Sequence, residues 1–222
     1  MAETSDRVQK RSARKGRPSA EDAARLSDTI LGEASRLFIK DGYGATSVEG
    51  IAAAAGISKR TFYLRFSGKA DVFEAIILRN AERNVRDALG GMKAGQDLEA
   101  SLHTMSIHLL EWILQPDVLG IYRLTIAEVG RFPELAQTVT EYAISDAVRS
   151  FETVFRKHLP ASVHDDDIAF IAMQFMHAVA SGPFYRAVQG LDSPGFDRAK
   201  RSSVRRAIKL FLQGVQAANA KT

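Results

Sequence analysis

Ser58, Lys59, Arg60, Thr61, Tyr63 and Arg65 bring hydroxyls, an ammonium, two guanidinium groups and a phenol into one short run, with Phe62 and Phe66 four apart among them. At helical spacing the two phenylalanines make one thin apolar edge, and the donors take the rest of the circumference. A helix of that kind suits the major groove of duplex DNA, where such groups meet base edges and phosphates. An ordinary helical corner with a solvated polar side has the same spacing, so the neighbouring residues decide between the two.

Other chemistries find less support. Asp165, Asp166 and Asp167 in a row invite a metal, but they precede an apolar run, and acids at a helix N-terminus complement its macrodipole. No second ligand cluster lies nearby in sequence, and no metal is expected. The chain has five histidines, scattered, and no cysteine. Thiolate metal sites, disulfides and a cysteine nucleophile are therefore excluded. There is no nucleophile elbow, phosphate loop or His-Glu-x-x-His run. The chain reads as a non-enzyme with no cofactor.

The donor run needs elements to hold it. Thr46-Ser47-Val48-Glu49 reads as a capping box, with Thr46 as the cap and Glu49 reaching back to it. Ile51, Ala52 and Ala55 give a short helix its stripe, and Gly56 stops it, since a residue without Cβ turns readily into a left-handed cap. Ile57 fills the turn and Ser58 caps the second helix. Together these form a helix-turn-helix. Before it, a helix from about Ser19 to Lys40 buries Leu26, Ile30, Ala34, Leu37 and Phe38 and ends at Asp41-Gly42. After it, a long helix runs from Gly68 to about Leu89, with Lys69 in its first turn. A cation there opposes the helix dipole, so Lys69 is expected to meet a DNA phosphate. The expected DNA contacts are Thr46, Ser47, Ser58, Lys59, Arg60, Thr61, Tyr63 and Lys69.

The run Thr46–Phe73, with Asp41-Gly42-Tyr43 before it, resembles the TetR-like (tetracycline-repressor) family of transcriptional regulators, closely over about residues 25–80. Three positions depart from the family's habit: Ser67 where Pro is frequent, Ala70 where Glu is, and Arg60 where a small residue is. The last puts the operator sequence in doubt. The resemblance implies an all-α fold, with an N-terminal three-helix DNA-binding domain carrying the helix-turn-helix and a C-terminal helical domain for ligand binding and dimerisation. It also implies a homodimeric repressor that a small-molecule effector releases from a palindromic double-stranded DNA operator. The alternative is a regulator that activates, or that a protein partner controls. The stretch Tyr122–Leu135 is similar to the C-terminal domain of a subset of these regulators.

Charge agrees with a DNA-binding front end. Residues 1–70 hold thirteen Lys/Arg against eight Asp/Glu, while the remainder is nearly balanced. Residues 1–18 read as a disordered basic arm, 19–67 as the DNA-binding domain, 68–90 as a connecting helix, and 91–222 as the effector-binding and dimerisation domain. In the last, helices are expected over Asp97–Leu114, Ile121–Gly130, Glu134–His158, Ile168–Arg186 and Asp197–Gln216, with Val204, Ile208, Leu210, Phe211 and Val215 inward on the final one. The helix from Ile168 is apolar nearly all round and needs cover on every side. A partner subunit supplies it, and the resemblance implies an interface through helices near 134–158 and 165–186. Polar or aromatic residues on apolar faces mark an effector site: His108, Trp112, Tyr122, Glu128, Phe132, Met173 and His177, with His103, Arg123 and Tyr185 as further members. As a set they fit an amphipathic or aromatic effector. No run approaches the ~18 apolar residues of a membrane span, no signal-peptide core is present at the N-terminus, and a reducing cytoplasm fits the lack of cysteine.

Overall fold

The computed structural model describes residues 20–92 and 94–219, and among them every regular element is helical. Four helices form the front of the molecule: α1 (Ala20–Asp41), α2 (Val48–Ala54), α3 (Lys59–Tyr63) and the first turns of α4 (Lys69–Gly91). The rest comprises α5 (Leu98–Ile113), α6 (Pro116–Glu128), α7 (Pro133–Thr138), a π-helical turn (Val139–Ile144), α8 (Ser145–His158), α9 (Asp165–Val188) and α10 (Arg198–Asn219). The basic arm expected over 1–18 lies outside the described residues.

Two apolar cores organise these elements. The front core takes Ile30, Ala34 and Phe38 from α1, Ile51 from α2, Phe62 from α3 and Val72, Phe73 and Ile76 from α4. It also takes Ile121 and Leu124 from α6 and Leu135 from α7, so the C-terminal helices help to build the N-terminal head. Gly120 permits this: a Cβ there would stand 3.0 Å from Cδ1 of Ile39 on α1. The rear core centres on Phe175 of α9, whose ring meets Phe151 (5.1 Å), Phe155 (5.7 Å) and Phe211 (5.1 Å) edge-on. Edge-to-face rings set the spacing of α8, α9 and α10 around that point.

Several boundaries differ from the sequence expectation. The helix expected from Ile121 begins at Pro116, which stands in its first turn, where its missing N–H is not needed. The single helix expected over 134–158 is interrupted by the π-helical turn. Leu210, expected inward on α10, is 73% exposed, while Val204 and Ile208 are buried; the side chain of Val215 lies outside the described set.

Helix α9 is long and apolar enough to cross a membrane by length and composition alone, although Gln174, His177 and Ser181 interrupt its apolar run. Here it packs against α5, α6, α8 and α10. Only 28% of its apolar 18-residue window is buried, and Phe170 (66% exposed), Met173 (42%) and Tyr185 (52%) stand outward. Helix α8 is built differently. It buries Val148, Phe151, Val154 and Phe155 and turns Arg149, Thr153, Arg156 and Lys157 outward.

Replacing Phe175 with Ala removes the ring at the centre of the rear core. The expected cost is about 3–5 kcal/mol, read as a lower denaturant midpoint with little change in slope.

Candidate nucleic-acid interface and the cavity behind it

Helix α2 starts at Ser47, not Thr46. The Ser47 backbone is extended and its hydroxyl accepts from the Gly50 N–H at 3.1 Å. Thr46 is 6% exposed, and its hydroxyl donates to the Gly42 carbonyl at 2.8 Å, tightening the turn that ends α1. Gly42 takes φ +90° there, the left-handed conformation a glycine adopts freely. Glu49 reaches Lys59 on α3 and so ties the two helices of the motif together. Hydrogen bonding to Lys59 lowers the Glu49 pKa, and the same contact raises that of Lys59.

The turn between α2 and α3 is built as its residues require. Gly56 has φ +67°, its N–H donates to Ala53, and the Ile57 N–H donates back to Ala52 at 2.9 Å. This is the two-bond closure that a left-handed cap makes. Ser58 caps α3 by accepting from the Thr61 N–H at 3.1 Å, and the two hydroxyls are hydrogen-bonded at 2.9 Å. Phe62 is fully buried and Phe66 is 9% exposed, so the apolar edge fastens α3 to the head. Lys59, Arg60 and Tyr63 face solvent, with the Lys59 ammonium 5.8 Å from the Tyr63 ring centre. Leu64, 74% exposed beside Tyr63, was not singled out from sequence. An outward leucine at the C-cap of α3 offers apolar contact of the sort a thymine methyl takes.

Lys69 does not reach outward. Its ammonium donates to the carbonyls of Tyr43 (2.7 Å), Gly44 (3.3 Å) and Thr46 (3.2 Å). It also lies 4.5 Å from the Tyr43 ring centre and 5.6 Å from that of Phe132. The carbonyls and ring faces offset the unfavourable position at the start of α4, and Asp71 caps the same end by accepting from the Ser67 N–H at 2.8 Å.

Phe132 and Glu128, expected beside an effector, belong to this joint. The Phe132 ring packs edge-on against Tyr43 at 5.0 Å, and a Cβ on Gly44 would come within 3.3 Å of it. Glu128, the last residue of α6, accepts from the Gly44 N–H at 3.2 Å.

Behind the head lies a cavity of about 170 Å³ walled by α4, α5, α6, the π-helical turn, α8 and α9. That is room for a small ring. Trp112, Tyr122 and His177 line it, together with Tyr185 and with Asn80 and Ser181, which the sequence did not single out. Tyr122 stacks edge-on against Phe184 at 4.8 Å, and burial, then the neighbouring Tyr185, push its pKa up. No Lys, Arg, Asp or Glu is among the described lining residues.

The other expected members stand elsewhere. His108 packs against Gly91 of α4, where a Cβ would fall 2.2 Å from its Nε2. Met173 is on the outer side of α9. His103 faces Arg205 at 3.5 Å on the surface. Arg123 donates to the carbonyls of Ala187 (2.6 Å) and Val188 (2.8 Å) and so fastens α6 to the end of α9. Among the described residues no three His, Cys, Asp or Glu side chains converge on a metal position. Asp165 pairs with Arg156 on α8, which lowers its pKa.

These contacts separate two roles for Lys69. If its work is to hold the 43–46 turn, Lys69→Ala lowers the melting temperature as well as DNA affinity. A simple phosphate contact would leave melting unchanged and reduce the salt slope by about one. Parallel thermal melts and salt-dependent DNA titrations distinguish the outcomes, and the former is expected.

Comparison with known proteins agrees with this anatomy. Residues 30–76 match bacterial regulatory proteins of the tetR family, and residues 100–214 match the C-terminal domain of AefR-like transcriptional repressors. The chain is 38% identical over 66 residues to the uncharacterised HTH-type transcriptional regulator YerO of Bacillus subtilis, and 27% identical over 113 residues to YvkB of the same organism. These matches span 30% and 51% of this chain, but only 22% and 57% of the two relatives' own lengths. Among solved structures, a TetR-family regulator from Mesorhizobium loti superposes with a TM-score of 0.70 at 22% identity, covering 86% of this chain and 96% of that one. The flavonoid-responsive regulator FrrA gives 0.68 at 26%, covering 86% and 97%. FadR of Bacillus subtilis, solved with stearoyl-CoA, gives 0.64 at 12%, covering 84% and 98%. With both its head and its C-terminal bundle matched, the chain belongs to the TetR family of DNA-binding transcriptional regulators.

Proposed function

We propose that this regulator is a homodimeric repressor that a small, uncharged, largely apolar effector releases from a palindromic operator. The observation that carries the reading is the double engagement of α6. Val118, Ile121 and Tyr122 wall the cavity, and Glu128 at the end of the same helix holds Gly44 in the turn that leads to α2. An occupant that moves α6 therefore moves the DNA-reading head. Helix α4 gives a second route, with Ile77 and Asn80 on the cavity and Lys69 under the same turn.

On the DNA side, Ser47, Lys59, Arg60 and Tyr63 are the outward groups that meet the duplex, with Leu64 beside them. Thr46, Ser58 and Thr61 serve mainly to shape the motif, and Lys69 to hold its approach. The free dimer presents its two α3 helices about 34–36 Å apart, one turn of DNA, and the effector favours a form in which that spacing is lost. On the effector side, Trp112, Tyr122 and His177 make the contacts. The lack of charge among the described lining residues favours a neutral planar guest of the flavonoid kind, to which FrrA is named as responsive, over an acyl-CoA of the kind bound to FadR.

The dimer face we favour is the outer side of α9 with the adjoining α10. Phe170, Met173 and Tyr185 stand in water on the one, and Leu210 on the other. Helix α8, part of the 134–158 stretch expected at the interface, turns charged groups outward and is a poor candidate. Burying those charges without partners is costly. Such an assembly works in the cytoplasm, beside the DNA.

Footprinting on the DNA upstream of the protein's own coding region should show a protected palindrome, preferred over random DNA by about 10³ or more. Tyr63→Ala is expected to erase that preference with an unchanged circular dichroism spectrum. Glu49→Gln, which frees Lys59 and removes an anion from the duplex face, should tighten binding to all sequences alike. Uniform protection with no preferred site would overturn the assignment of α3 as a reading helix.

A further inference from the structure

The cavity shares its rim with the outer stripe of α9. Phe170, Gln174, His177, Ser181 and Tyr185 follow one another at steps of three or four residues, which puts them on one side of the helix. The first two are exposed and lie toward the N-terminal end. The last three line the cavity, and of these His177 and Tyr185 are exposed as well. Ile144 of the π-helical turn, 39% exposed, is also a lining residue. The mouth of the cavity therefore opens onto the surface that most needs a cover.

We propose that the effector site is completed by the second copy of this chain, whose α9 lies along the outer stripe and closes the mouth between Ile144, His177 and Tyr185. The occupant is a second copy for two reasons. A palindromic operator needs a symmetric pair. And α9, apolar nearly all round, leaves Phe170, Met173 and Tyr185 exposed on its outer side, a surface that another apolar helix covers well. Ala178 and Gly182, both exposed on α9, keep that side thin enough for another helix to approach. The proposal rests on reading the cavity as the effector site and adds that one chain alone supplies only part of it.

A thermodynamic consequence follows. A site that is complete only in the dimer makes the ligand a dimer stabiliser, and each bound ligand strengthens pairing by the factor by which pairing strengthens its own binding. Effector binding then loosens the hold on DNA while tightening the subunits on each other.

The molecule carries its own reporter, since Trp112 is its single tryptophan and lines the cavity. The probe is N-phenyl-1-naphthylamine, a neutral aromatic dye whose absorption overlaps tryptophan emission. Dye binding is followed by energy transfer from Trp112, and association by sedimentation, on the full chain and on Phe170→Asp. The variant should be monomeric, keep its helical circular dichroism and bind dye about tenfold or more weakly, while saturating dye, which fills both sites of the dimer, lowers the wild-type dimer dissociation constant by about the square of that factor. A folded monomer with wild-type dye affinity overturns the inference, as does a variant that remains dimeric or a dye that leaves association unchanged. If Phe170→Asp does not fold, dilution of the wild type decides: coincident midpoints for dye loss and dissociation support a shared site, and separate midpoints exclude it. A wild-type dimer that takes up no dye removes the effector-site reading itself, whereas the footprint tests DNA recognition independently.

Discussion

The cage around the Lys69 ammonium is the contact on which the arrangement turns. Three backbone carbonyls from one turn point at a single cation, and two aromatic rings from different parts of the chain close over it. Each donor goes to a group that has no other helical partner, because residues 43–46 lie between α1 and α2. Without the cation those carbonyls would face one another across a partly buried turn. With it, the turn has one shape, and the start of α2, hence the pitch of α3, is set relative to α4. Because Phe132 supplies one of the rings, the same cage joins the C-terminal bundle to the head.

Helix α6 makes that joint useful. It is anchored at three places by chemically different means: van der Waals contact of Gly120 with Ile39, the Arg123 guanidinium on the last carbonyls of α9, and the Glu128 carboxylate on the Gly44 N–H. A hydrogen bond to a charged group contributes about 1.5–3 kcal/mol. Allosteric coupling is typically about 1–3 kcal/mol. Breaking or lengthening one such contact is therefore enough to account for regulation, and no large rearrangement of the bundle is required. The π-helical turn on the opposite wall fits this economy, since an extra residue in a turn leaves the helix locally easier to re-register.

Local chemistry made the head legible in the sequence, and distant chemistry hid the joint. Gly56 and Ser58 act on residues within one turn of themselves, and Phe62 and Phe66 share one helix edge, so spacing alone identifies their roles. The cap at Ser47 was misassigned to Thr46 because adjacent hydroxyls satisfy the same local rule; the choice is made by the turn at Gly42, which draws Thr46 inward. Lys69, Glu128 and Phe132 act across 26, 84 and comparable stretches of chain, and no periodicity records that. The cavity was half legible for the same reason. Trp112, Tyr122 and His177 stand out as polar or aromatic groups on apolar helices, whereas Asn80 sits among charged neighbours in the wetter part of α4 and looks like surface. Helix α6 was started too late because Pro116 reads equally as the end of one helix and the beginning of the next.

The two long helices of the rear bundle show why uniform apolarity is a weaker guide to topology than amphipathicity. Helix α8 has one apolar side and one charged side, so its orientation follows from its sequence. Helix α9 has no such preference; its apolar residues go all round, and the chain itself covers part of it with α5, α6, α8 and α10 while Phe170, Met173 and Tyr185 stay exposed. That indifference is what allows a single helix to serve as bundle core, cavity rim and outer surface at once. It also means that whatever covers the outer side touches the rim, and through Arg123 touches α6. On the proposed effector site and dimer face, occupancy of the cavity, pairing of subunits and posture of α3 are three equilibria that share the same few side chains. Arg123, bonded to the Ala187 and Val188 carbonyls, is the contact through which that sharing reaches α6.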